Sequence, residues 1–293
     1  MILRLSTHRI QSVATPHMKE YSMSEGPPAS TRRPVPDEMF SGRLKGSYLL
    51  DLEVVGVDDV APHVRLITMA SSDLVGFEYT PGQDLLFEFP DGDLTFRRRY
   101  TIRRLDPAAG IADFEIEIHD GRGPATRWAA KAEVGEHLEA IGPRGGISLR
   151  PTATSHLFVV DDSAMPAAFA LLEALAAGTP ATALLVTSHG AKLRPAPAGA
   201  PATSLVWLDQ ADLLEMLSDL HPAAGTAAYL FGERHLVRTA EELLLAGGLD
   251  RDAVASKPHL ATGPAQRQPR RTVFQLNLGS SRTDGGSCPR CRS

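Results

Sequence analysis

Apolar and polar residues follow two different rhythms along this chain. From Tyr48 to about Leu149 the apolar positions come in short runs separated by turn residues: YLLDLEVVGV, HVRLITM, QDLLFEF, RRYTIRRL, ADFEIEIH and HLEAIG. Runs of this length bounded by Gly, Pro and Asp predict strands. In ADFEIEIH, Phe114, Ile116 and Ile118 point one way and Glu115 and Glu117 the other, the pattern of a half-buried antiparallel strand. Closely spaced strands of this kind predict a small barrel or sandwich.

From His156 the rhythm changes. HLFVV, ATALLVTS, SLVWL and TAAYLF read as buried strands, separated by helical stretches in SAMPAAFALLEALAAG, DLLEMLSDL and ERHLVRTAEELLLAGG. In the first of these Met165, Phe169, Leu172 and Leu175 recur at helical spacing and Gly178 marks the stop. Alternating strands and helices predict a parallel α/β sheet, which binds ligands at the carboxyl ends of its strands. AKLRPAPAGAPAT is a Pro/Ala loop within it, and no internal repeat is visible.

The two ends lack either rhythm. Residues 1–44 are rich in Ser, Pro, Gly and charge, so they predict a disordered arm. Residues 264–293 read as a flexible tail, with one short apolar patch from Val273 to Leu278. Two domains remain between them, 45–150 and 151–263. Met18 and Met23 are alternative starts that the sequence leaves open.

With 293 residues, 43% of them hydrophobic, the chain can bury a substantial core. Its net charge of −5 gives no long-range attraction to nucleic acid or anionic lipid, so an arginine cluster acts locally and suits a small anion. No apolar run approaches the roughly 20 residues of a membrane span, and MILRLSTHRIQSV is too short a block for a secretory signal. A cytoplasmic location is expected, without a membrane span. Cys288 and Cys291 lie in the terminal SCPRCRS; a zinc or iron–sulfur site needs about four ligands, and no second CxxC exists. No metal site is expected of the protein itself.

The candidate chemistry begins at FRRRYTIRRLD, where a period of two puts Arg98 and Tyr100 on one side of a strand and Thr101 on the other. HDGRGPATRWAAKA follows, a Gly-Pro turn opening a helix whose free N–H groups favour phosphate. VVDDSAMPAA then stands where a dinucleotide site usually has a glycine-rich turn; on pattern alone this argues against a nicotinamide dinucleotide.

These stretches, with DPAAG, GPRGG at 142–146, DDSAMPAA at 161–168 and GERHLVR at 232–238, appear in the order found in the siderophore-interacting protein family, which the sequence resembles from about residue 46 to 263. The family comprises flavin-dependent ferric-siderophore reductases. The resemblance implies a ferredoxin-reductase-like fold: a six-stranded antiparallel FAD-binding β-barrel, then a parallel-sheet α/β domain for NAD(P)H.

The resemblance also assigns residues. Arg98, Tyr100 and Thr101 line the FAD, with Arg103 as an additional partner, and Tyr100 and Thr101 stand closest to the redox chemistry. The physical reasons are plain, since a flat flavin suits an aromatic face and a pyrophosphate suits a guanidinium fork. His119, Gly123, Ala125 and Thr126 cover the pyrophosphate and flavin edge, while Trp128 packs in the core. Asp162, Ser163 and Ala164, with Gly232 and Glu233, face NADH or NADPH. Lys257 and Arg104 are candidates for an anionic ferric siderophore, and Arg97 and Arg99 extend the basic patch; Lys257 reads equally as a solvated loop residue. Two departures stand out: Val160 replaces a usual glycine, and His259 and Leu260 replace a usual aromatic pair.

The function implied is electron transfer from NAD(P)H through FAD to siderophore-bound Fe(III), by a monomer. A general NAD(P)H:flavin oxidoreductase and a non-catalytic flavin- or siderophore-binding protein are the alternatives. The sequence leaves open the siderophore type and whether NADH, NADPH or an external carrier is the donor.

Overall fold

In the computed structural model, residues 32–34, 47–92, 94–118, 123–187, 197, 203–259 and 268–269 are described. The short apolar runs fold as strands: β1 (Arg33–Pro34), β2 (Tyr48–Ala61), β3 (Val64–Ala70), β4 (Asp84–Asp91), β5 (Leu94–Thr101), β6 (Arg104–Asp106), β7 (Ile111–Glu117) and, after helix α1 (Pro124–Ala129), β8 (His137–Arg144). With β14 (Gln268–Pro269) they form one sheet of nine strands, in the order β14-β5-β4-β8-β2-β3-β7-β6, with β1 paired to β2. The pleat sorts side chains as the alternation predicts: Phe114 and Ile116 are buried, and Glu115 and Glu117 lie nearer the surface. Inside, Phe87 meets Phe114 edge-on with ring centres 5.0 Å apart, and Ala125 and Ala129 of α1 join the same core.

The sheet closes into a barrel because β5 and β6, consecutive in the chain, lie on opposite sides of the strand order, β5 beside the short terminal β14 and β6 at the far end. RRYTIRRL, expected as one strand, breaks at Ile102 and Arg103. The Ile102 N–H donates to the carbonyl of Gln83, just before β4, at 3.0 Å, and the Arg103 N–H donates to Asp113 of β7 at 2.9 Å. Successive N–H groups on an extended chain point opposite ways, so this one step hands the chain from one end of the strand order to the other.

That break, and pairing at the two chain ends, account for nine strands where six were expected. Arg33–Pro34 falls in the stretch expected to be a disordered arm. It is held because Arg32 lies over the rings of Tyr48 and Phe77, at 5.7 and 5.3 Å, and donates to the carbonyls of Asp73 and Val75. Gln268–Pro269, within the expected flexible tail, pairs with Thr95 and Leu94 of β5 and covers part of an edge that would otherwise present open backbone groups. The remainder of both arms, including Val273 to Leu278, Cys288 and Cys291, lies outside the described residues, as does the Pro/Ala loop apart from Pro197 and Thr203.

The second half is a parallel sheet of β9 (Ser155–Asp161), β10 (Ala181–Val186), β11 (Thr203–Leu208), β12 (Thr226–Glu233) and β13 (Val254–His259), ordered β11-β10-β9-β12-β13. Its central strands β9, β10 and β12 are buried on both faces. Phe158 and Val160 pack with Met165, Phe169 and Leu172 of α2 (Met165–Glu173). On the other face, Leu157, Val159 and Leu230 pack with Leu213 and Leu217 of α3 (Gln210–Ser218) and Leu236, Val237 and Leu244 of α4 (Arg234–Ala246). Burying one such side chain contributes about 1.5–3 kcal/mol, which is why uninterrupted apolar runs give central strands. β13 is the strand that the sequence pattern hides: Lys257, Pro258 and His259 carry no strand signal, and a proline is tolerated there because β13 is the edge. The structure thus has the expected class, an antiparallel barrel followed by a parallel α/β sheet.

Candidate functional site

β5 is registered against β4 with Phe87 opposite Arg98 and Leu85 opposite Tyr100. Leu85 and Phe87 are buried core residues, so Arg98 and Tyr100 lie on the inner face of the sheet and Thr101, opposite Asp84, on the outer. The half-buried Tyr100 ring meets Phe87 and Phe89 with centres 6.0 and 6.1 Å away. Burial raises its phenol well above the usual range, against the pull of Arg98, so it stays protonated at any working pH. Phe89 also touches Trp128 of α1, at 5.5 Å, and Trp128 donates Nε1–H to Glu136. Phe89 therefore links Tyr100 to the short helix that begins after Gly123. No side chain caps the start of α1. Ala125 is buried and Thr126 half-buried, while His119 lies outside the described residues.

Arg103 and Arg104 are engaged elsewhere. Arg103, 4% exposed, donates Nε to Glu115 at 3.0 Å and both terminal nitrogens to Glu173 at 2.6 and 2.7 Å, with its guanidinium over the Phe169 ring. Arg104 also grips Glu173, at 3.0 and 3.3 Å. Burial alone would raise Glu173, but the hydrogen bonds from the two arginines bring it down to about 2. Glu173 ends α2, where the helix dipole disfavours a carboxylate; the barrel's two guanidinium groups outweigh that cost. Together these residues form a strut between the two sheets. Its charges reach one another across about 70 positions in sequence, beyond any local motif.

The crevice of the parallel sheet lies where strand order reverses, between β9 and β12. Asp161, which the sequence reading did not single out, organises it. Its Oδ1 accepts from Ser163 Oγ at 2.7 Å and its Oδ2 from the Glu233 N–H at 2.6 Å. Gly232 has φ of +130°, and a Cβ there would stand 2.4 Å from Asp161 Oδ2. The carboxylate thus accounts for this glycine without a ligand. Glu233 caps α4, accepting from the His235 and Leu236 N–H groups at 2.8 and 3.1 Å, and those bonds hold its carboxyl below the usual range. Asp162 is half-buried beside them, and Ala164 belongs to the α2 core.

Lys257 reaches from β13 to the barrel, its Nζ 2.8 Å from Asp84 Oδ2. It is thus no solvated loop residue. Asp84 is registered against Thr101 on one side and Arg144 on the other. Arg99 is exposed; Arg97, by contrast, is tied to Glu88 at 2.7 Å. Leu260 and the side chain of His259 fall outside the described residues. Among the described residues no group of three or more His, Cys, Asp or Glu side chains is placed to hold a metal, and no helix is long and apolar enough to cross a membrane.

Comparison with known proteins follows the same division. A family model described as a siderophore-interacting FAD-binding domain matches residues 82–147, and one described as siderophore-interacting protein matches residues 153–259, together more than half the chain. The ferric vibriobactin reductase ViuB of Vibrio cholerae is 29% identical over 154 residues, 46% of this chain and 57% of that protein. The match spans little more than half the length of ViuB and of the first mycobacterial relatives, and less than a fifth of others. Among solved structures, the siderophore-interacting protein SipS from Aeromonas hydrophila matches at 25% identity and a TM-score of 0.60, over 72% of this chain and 96% of that one. A siderophore utilization protein from T. fusca shares the fold at 24% identity and a TM-score of 0.64, over 75% and 96%.

Proposed function

The chain belongs to the siderophore-interacting protein family, and from that premise we propose that it is an FAD-dependent ferric-siderophore reductase, drawing electrons from NAD(P)H to release iron as Fe(II). The observation that carries this reading is the surface shared by β5 and α1. Tyr100 offers a half-buried aromatic face, Arg98 stands on the same face of the sheet, and the first turn of α1 has no side-chain cap. Those are the three partners an isoalloxazine ring and a pyrophosphate need. FAD, when bound, converts a two-electron donor into one-electron steps. The chain's part is to seat the ring against Tyr100, to hold the phosphates at Arg98 and the Gly123–Thr126 turn, and to leave Thr101 on the opposite face, beside Asp84. Oxygen donors favour Fe(III), so reduction loosens the chelate. Arg103 and Arg104 act as a strut to α2.

One observation favours a second reading for the electron source. Asp161 takes up the donors of Ser163 and Glu233 at the crevice where a dinucleotide phosphate would lie. A carboxylate there opposes an anion and suits electrons that arrive from another carrier. Anaerobic titration of the FAD-loaded protein with NADH and NADPH, followed by a ferric siderophore and a ferrous-iron trap, decides. Bleaching by either nucleotide and recovery as the ferrous complex appears is the expected result. Flavin that bleaches with dithionite alone and then reduces the chelate moves the donor role to a carrier, and flavin that never passes electrons to the chelate overturns the reductase reading.

A further inference from the structure

Asp84 is a buried carboxylate whose charge is only half answered. Its side chain is 3% exposed; Oδ2 accepts from Lys257, and Oδ1 has no hydrogen-bond partner among the described residues. A buried carboxylate normally has both oxygens satisfied, so among the described residues the Lys257 ammonium is the hydrogen-bond partner that answers this charge. Its cation is accessible, with 29% of the Lys257 side chain exposed. The surroundings are positive. Arg144 is the registered neighbour of Asp84 on β8, and Arg99 lies two residues before Thr101 on the same face of β5. Burial and the nearby Arg99 both lower Arg144, with Asp84 opposing. Lys257 bonds this carboxylate directly, Arg144 feels its charge, and Arg99 stands close enough to act on Arg144.

We propose that Asp84 is a specificity-setting positioning residue: it holds Lys257 against the barrel as an internal counter-ion, and only a multiply charged anion beside Arg99 and Arg144 takes the ammonium from it. This rests on the ferric-chelate reading above and names the substrate class within it, a polyanionic chelate in preference to a neutral one. The selectivity comes from competition. A neutral chelate gains nothing from Lys257 and leaves the pair closed, whereas a trianion offers the ammonium more charge than Asp84 does. An interface charge spent on an internal partner raises the threshold for every ligand that cannot replace that partner.

Binding of redox-inert gallium(III) chelates to the FAD-loaded full chain separates this inference from the reductase reading, because no electron moves. Calorimetric titration compares gallium tris-catecholate, a trianion, with a neutral gallium trihydroxamate. Asp84→Asn is expected to bind the trianion about tenfold more tightly and the neutral chelate within about twofold of wild type, given the coupling of close charge pairs. Lys257→Gln weakens the trianion alone, Asp84→Asn adds nothing in the Lys257→Gln background, and Asp84→Glu keeps wild-type selectivity. Equal shifts for both chelates, or an Asp84→Asn effect that survives loss of Lys257, overturn the proposal, as does the absence of chelate binding by both wild type and Asp84→Asn. If Asp84→Asn does not fold, Lys257→Gln decides alone, and an unchanged trianion affinity refutes it. A wild type that binds gallium chelates but never reduces the ferric ones leaves this inference standing and removes the reductase reading.

Discussion

Among the described residues, two ion-pair contacts of opposite construction join the barrel to the second half. At Glu173 both carboxylate oxygens are bonded and two arginines converge, one of them almost fully buried and stacked on Phe169. At Asp84 one oxygen is bonded, the other is not, and the lysine that answers it stands partly in solvent. A saturated, bidentate contact fixes geometry, while an unsaturated one with an accessible cation can exchange its partner. The difference teaches where this molecule is rigid and where it is open to a ligand: the Glu173 strut ties β6 and α2 together, and the Asp84 contact borders Thr101.

The largest effect follows from breaking the strut. Glu173→Ala leaves the Arg103 guanidinium buried with Glu115 as its remaining carboxylate, and removal of one partner from a buried pair costs about 3–5 kcal/mol. Denaturant midpoints of wild type and variant measure it. The double change Arg103→Met with Glu173→Leu should recover most of the loss, because an apolar pair of similar volume needs no counter-ion. If Glu173→Ala costs less than Lys257→Met, the contrast between the two contacts collapses.

A middle-sized effect tests the crevice instead. Gly232→Ala introduces a Cβ against the Asp161 carboxylate at a backbone angle that favours glycine, and such strain costs about 1–3 kcal/mol. Asp161→Gly in the same chain should relieve the clash though not the angle, so the double variant should be more stable than the additive sum by thermal melting. Additivity would mean that Asp161 does not dictate this glycine.

What the sequence made legible, and what it did not, divides along the range of the interactions. Alternation in ADFEIEIH and continuous apolar runs such as HLFVV announced half-buried and fully buried strands, because each strand's own side chains carry that pattern. The Arg98–Tyr100 pairing on one face followed from strand period alone. The break at Ile102 was hidden, since apolar and basic residues continue straight through it and only the hydrogen bonds to Gln83 and Asp113 mark the crossing. Arg103 and Arg104 looked like ligand-binding charges because their partner, Glu173, belongs to a helix packed on the other sheet. Asp161 gave one faint signal, an acid ending a buried strand where a glycine-rich turn is usual. Lys257 was ambiguous for a related reason: nothing near it in sequence announces Asp84, and Pro258 masks the strand that carries it.

The smallest predicted effect concerns acid–base balance, where Glu173 of α2 differs from a carboxylate of the barrel. Glu139 on β8 stands directly opposite Asp51 of β2, and Glu88 of β4 and Arg33 of β1 also act on it. Burial, then Glu88 and Asp51, push it up to about 7, with Arg33 opposing. Its folded value is therefore above the ordinary 4.5. The folded state binds this proton more tightly than the unfolded chain does, so the associated stability is fully present below pH 4.5 and is lost as pH rises through about 7. Glu173 has the opposite sign: its contribution is present above 4.5 and disappears as pH falls through about 2. Thermal melts at mildly acidic and mildly alkaline pH should show Glu139→Gln gaining stability over wild type on the alkaline side and losing that advantage on the acidic side. An advantage that does not change with pH would mean that Asp51 and Glu88 do not press on a charged Glu139.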